Sequence, residues 1–98
     1  MDIKITVLKI NRNDDLIEEY INPNFNDSCI MKKDMTFISH DGIMPESFCS
    51  SAWHDLKPYI DSLNKNTELY PGWMKNKNQA VISCNDGLHP VIFLLEVI

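Results

Sequence analysis

Ala80-Val81-Ile82-Ser83-Cys84-Asn85-Asp86-Gly87-Leu88-His89-Pro90-Val91-Ile92-Phe93-Leu94-Leu95-Glu96-Val97-Ile98 is the run that decides the fold. Two apolar stretches rich in β-branched residues flank a short connection of turn formers. That pattern predicts strands over 80–84 and 91–98 joined by a loop. The second stretch is apolar at seven of its eight positions. A strand of that kind is central and covered on both sides, or it turns its second face to another subunit.

Working outward, Ile3, Ile5 and Val7 alternate with Lys4 and Thr6 before Leu8 and Ile10, which predicts an opening strand. Asp15 and Glu18 have capping-box spacing at the start of a short amphipathic helix through Leu16, Ile17, Tyr20 and Ile21. Met35–Ile38 reads as a short strand closed by an Asp41-Gly42 turn. From Pro45 the apolar period becomes helical. Cys49, Ala52, Trp53, Leu56, Ile60 and Leu63 form one stripe, and Pro58 is expected to kink or split the helix. Residues 64–78, with Pro71-Gly72 in their middle, form a connector long enough to predict a hidden helical turn. The expectation is one α+β domain over 1–98: a mostly antiparallel sheet of about four strands, the main helix on one face and the short helix at an edge.

With 98 residues and 44% hydrophobic content, such a chain buries a core without staples. Its formal charge of −5 argues against a phosphate-backbone binder, because non-specific nucleic-acid affinity comes from clustered Lys and Arg. No apolar run approaches a membrane span, and Met1-Asp2-Ile3-Lys4 lacks the features of a signal peptide. The expectation is therefore a cytoplasmic chain with no nucleic-acid or membrane partner. Three cysteines cannot all pair within one chain, and no Cys-x-x-Cys is present to suggest a thioredoxin-like or zinc-ribbon site.

The 84–90 connection carries more chemistry than a turn requires. Asn85, Asp86 and Gly87 are explained by turn formation, but Cys84 and His89 are not. A thiol, an imidazole that takes its proton and a carboxylate that orients the imidazole make a nucleophile. Cys84, Asp86 and His89 are thus candidate catalytic residues. Cys29 stands in a polar loop, where burial does not explain it, so Cys29, Cys84 and His89 are candidate ligands for zinc or iron. In the plainer reading, Cys84 is a small core residue, Asp86 makes an Asx-turn and His89 is a loop side chain. Cys49 is expected to be buried in the helix stripe and unreactive. His54 is expected at the surface and His40 in a turn, with Trp53 and Trp73 as core and loop anchors.

Across nearly its whole length, the chain resembles an uncharacterised family of small bacterial and archaeal proteins common in anaerobes. The resemblance rests on ITVLK near the start, the first cysteine before a strand containing Phe37, PESFCSSAW at 45–53, GWMK at 72–75 and CNDGLHPVIFLLE at 84–96. All three cysteines fall at motif positions of that family, which implies a shared thiol role. The family pattern has arginine in place of His89 and proline in place of Ile30. Arginine cannot act as a base at neutral pH, so the resemblance implies no Cys84–His89 mechanism. Three functions are consistent with these features: a binding module holding a metal or small ligand through its loop cysteines, a homodimeric accessory protein without site chemistry, and a small thiol enzyme using Cys84.

Overall fold

The computed structural model describes residues 1–26 and 28–98. Asp27, within the predicted 22–28 loop, lies outside the described residues. The elements run β1 (Asp2–Ile10), α1 (Asp14–Tyr20), β2 (Thr36–His40), α2 (Ser50–Asn64), β3 (Gln79–Ser83) and β4 (Val91–Val97). The strands form one sheet in the order β2-β1-β4-β3, and every neighbouring pair is antiparallel. The chain is therefore α+β, as its alternating and helical apolar periods predict.

Strand alternation sorts the side chains onto two faces. Ile3, Ile5, Val7, Ala80, Ile82, Val91, Phe93 and Leu95 are buried on the inner face. α2 lies over them and contributes Ala52, Leu56, Ile60 and Leu63. Each fully buried Ile, Leu or Phe of this kind stabilises the fold by about 1.5–3 kcal/mol relative to exposure. Near the middle, Phe48 packs edge-on against Phe37 with ring centroids 4.9 Å apart and tilts against Phe93 at 5.7 Å. Leu8 is the extra residue where the β1–β4 register shifts between Val7 and Lys9.

α2 begins later than its sequence period suggests. Phe48 N–H donates to the Pro45 carbonyl, and Ser47 holds a left-handed φ of 63°, so helical geometry cannot propagate through residues 45–48. Nor is the helix split at Pro58, since it runs unbroken from Ser50 to Asn64. Pro58 and His54 both lie on its exposed face, so the donor that proline removes is lost on the solvent side of the helix and not in the core. Residues 65–78 contain turns and bends but no helical turn, so the connection is longer than the usual loop.

The capping box predicted for α1 does not form. Asn13 occupies the N-cap position without a side-chain cap bond, and no residue of the helix is buried. α1 packs on no other helix or strand among the described residues, so it is not the edge layer that its amphipathic pattern suggests. No described helix is long and apolar enough to cross a membrane.

Phe93→Ala is expected to lower the unfolding free energy by about 3–5 kcal/mol, the range for emptying a large core site. Denaturant unfolding followed by circular dichroism measures this. A loss below about 1 kcal/mol would mean that the site collapses freely and is not the packing centre.

Candidate functional site

The β3–β4 connection is built mainly by hydrogen bonds. Cys84 N–H donates to the Val91 carbonyl at 3.0 Å, and Val91 N–H returns to the Cys84 Sγ at 3.3 Å, closing the neck of the loop. Within it, Asp86 Oδ1 accepts from the backbone N–H of Leu88 at 2.8 Å and His89 at 3.3 Å, which is the Asx-turn that the sequence suggests. Two further segments hold the loop from outside. Asp55 Oδ2 on α2 accepts from Asn85 N–H at 2.8 Å. On the other side, Asn11 N–H donates to the Pro90 carbonyl, while Asn13 donates to the carbonyls of Gly87 and Leu88.

Against this loop lies a half-open cavity of about 640 Å³. Its other walls are residues 25–26 and 28–31 and the start of α2, and Cys29, Cys49 and Cys84 all line it. Phe25, Ile30, Met31, Phe48, Leu88 and Val91 make the walls largely apolar. Cys49 packs against the core, as its stripe position suggests, but it is only half-buried and precedes the first helical turn. It is the N-cap residue of α2, because the turn at 45–48 rotates Phe48 into the core and delays the helix by one residue past the cysteine.

Burial pushes the Cys84 thiol above its ordinary pKa; hydrogen bonds with the Val91 and Asp86 backbones pull it down, and the nearby Asp86 carboxylate adds to the rise. A thiol with a raised pKa is protonated at neutral pH and is a weak nucleophile. The His89 imidazole faces Asp86, with Nδ1 3.0 Å from Oδ2. The contact is close but not directed as a hydrogen bond, leaving Nδ1 a buried polar atom without a hydrogen-bond partner. Asp86 and His89 thus form the carboxylate–imidazole half of the candidate catalytic group, and Cys84 spends its sulfur on Val91 N–H.

Cys29, Cys84 and His89, the candidate zinc or iron ligands, all line this cavity, Cys29 from one wall and Cys84 and His89 from the β3–β4 loop. Among the described residues, no three His, Cys, Asp or Glu side chains converge as a metal-binding group. His54 is exposed and not among the cavity-lining residues, and His40 sits at the C-terminal end of β2, with Nδ1 2.9 Å from Asp2 Oδ1. Asp55 is a site residue that sequence reading misses. Nothing in the spacing connects it to Asn85, because the two meet only when α2 packs on β3. No family model matches the chain, and neither a curated protein nor a solved structure matches it.

Two outcomes are expected. Asp86→Ala removes the acceptor of two loop N–H groups and should lower stability by about 1–3 kcal/mol in equilibrium unfolding. For Cys84, whose folded pKa is raised, the stabilisation is fully present below the unfolded thiol's pKa and is lost as pH rises through the folded value. Iodoacetamide should accordingly need a higher pH to modify Cys84 in the native chain than in the unfolded chain, as read by mass spectrometry of the Cys84 peptide. Equal or lower pH in the native chain would mean an activated thiol.

Proposed function

We propose that the chain is a small-ligand-binding module whose site is the cavity lined by Cys29, Cys49 and Cys84. The observation that supports this is the meeting of three thiols from distant parts of the chain around one opening. A volume of about 640 Å³ is within the usual range of small-molecule sites, roughly 300–1,000 Å³. The walls suit an apolar, polarisable molecule that gains from contact with sulfur and aromatic edges. Polar groups of Asp86 and His89 stand at one side to orient it. A protonated Cys84 favours this reading over a thiol enzyme. Thiols spread over three walls, as opposed to a gathered ligand set, favour an organic ligand over zinc or iron. Free thiols are stable in a reducing compartment such as the cytoplasm.

The apolar dye 8-anilino-1-naphthalenesulfonate is a suitable probe. Its binding should brighten its fluorescence, shift amide resonances on all three walls and slow maleimide labelling of all three cysteines. Cys49→Phe, which fills the cavity, should abolish those effects while the fold persists. Dye-induced shifts confined to another surface, or unchanged labelling with dye bound, would reject the reading.

A second reading is supported by the sheet's outer face. Ile38, Val81, Ile92 and Leu94 project there among Lys4, Lys9 and Glu96, and α2 is the only described helix that packs on the sheet. Such a face, apolar with charges of both signs, suits pairing with a second copy about a two-fold axis. Light scattering at micromolar concentration should then exceed the 11.3 kDa of one chain, and Leu94→Lys should return it to that mass. A wild-type chain already at 11.3 kDa would rule this reading out.

A further inference from the structure

The 65–78 connection carries a feature that neither the thiol cavity nor the sheet face uses. Tyr70-Pro71-Gly72-Trp73 forms a β-turn in which Trp73 N–H donates to the Tyr70 carbonyl at 2.9 Å. Pro71 precedes Gly72, whose φ of 83° is the left-handed value that the third residue of a type II turn requires. Closing the turn stacks its first and last side chains. The Tyr70 and Trp73 rings lie 5.0 Å apart at 20°, and Tyr70 continues to Tyr59 on α2, at 6.5 Å and 33°.

This ladder is held under strain. Tyr70 adopts a φ of 51°, which is disfavoured for a bulky side chain and is maintained only where the surroundings fix it. Trp73 nevertheless remains 79% exposed. One face of its indole is against Tyr70, so the other is open to solvent. A large aromatic surface fixed by a turn and left uncovered is a ready platform, because little conformational freedom remains to be lost when a ligand lands on it.

Beside the ladder is a second cavity, of about 360 Å³, between α2 and β3. Tyr59 and Tyr70 form its aromatic side, and Asp55, Ser83 and Asn85 supply carboxylate, hydroxyl and amide groups. No Lys or Arg is among its lining residues, so a phosphate or carboxylate ligand would find no counter-charge there. We infer that the open face of Trp73 and this cavity, linked through Tyr70, bind neighbouring rings of a neutral oligosaccharide; Trp73 itself is not among the cavity-lining residues. The C–H bonds on one face of a pyranose carry partial positive charge and settle on the negative face of an indole, while its hydroxyls both donate and accept. The cavity offers partners of both kinds within one residue cluster. This site is independent of the thiol-lined cavity, although Asp55 and Asn85 form part of the wall of each.

Isothermal titration calorimetry with neutral tetrasaccharides, namely cellotetraose, maltotetraose and tetra-N-acetylchitotetraose, tests the inference. At least one should give a saturable heat of binding. Trp73→Ala should weaken it by about tenfold or more, the loss of roughly one stacking contact. Trp73→Phe, which keeps a ring, should restore most of it. Because Trp73 is exposed, both variants should melt with the wild type, which separates lost binding from lost folding. Blocking the thiols with iodoacetamide should leave sugar binding intact, whatever becomes of the dye site. No response to any of the three sugars, or a response that survives Trp73→Ala, would overturn the assignment. So would saturable binding of a proline-rich peptide where the sugars fail, which would make the ladder a peptide platform instead.

Discussion

Everything else in this structure depends on one helix covering one face of one sheet. Phe93 lies on the central strand β4 with neighbours on both sides, β1 through Val7 and β3 through Ile82. α2 closes over that face with four buried side chains at helical spacing. Removing water from this layer supplies most of the favourable free energy, since the burial of apolar surface is what chiefly drives folding. Because α2 is the sole helical cover among the described residues, its direction and starting point decide where the sheet's ends stay open. Its N-terminus lies beside the β3–β4 connection, and the gap between them, walled on the third side by residues 25–26 and 28–31, is the thiol-lined cavity.

The loop beside that gap is held in place by hydrogen bonds from several segments. Asp86 organises it from within, Asp55 ties it to α2, and Asn11 and Asn13 tie it to the end of β1. A loop so restrained keeps Cys84 in a fixed and partly dry position, and desolvation is the main reason its thiol stays protonated. The same restraint places His89 against Asp86 with its Nδ1 buried. The arrangement suits recognition better than attack, since a nucleophilic cysteine needs an electropositive setting and this wall carries carboxylates.

Two cavities share the Asp55–Asn85 contact as a partition. On one side the walls are apolar and sulfur-rich; on the other they are aromatic and hydroxyl-bearing. The difference follows from which residues of α2 face each side. Ala52 at the first turn lines the cavity with residues 28–31 and the cysteines, whereas Tyr59 at the middle of the helix packs against Tyr70 of the connection that leads back to β3. One carboxylate thus positions the β3–β4 loop and separates two surfaces of unlike chemistry.

The sequence by itself determined the strands, because alternation in β1 and apolar runs in β3 and β4 have no other use at those lengths. It also determined the Asx-turn at Asp86, whose partners are two and three residues away. The start of α2 was decided by tertiary structure. The apolar period extends through Cys49, but burying Phe48 against Phe37 and Phe93 turns the backbone at Ser47 and removes the cysteine from the helix. Helical character at 64–78 was likewise overridden, and α1 gained no packing face despite its amphipathic pattern. The site was half legible. Cys84, Asp86 and His89 could be picked out because they exceed what a turn needs, yet neither the role of Asp55 nor the meeting of Cys29, Cys49 and Cys84 has any signature in local spacing. Local preferences act over a few residues, whereas those meetings are fixed by how α2 and residues 28–31 pack across the end of the sheet.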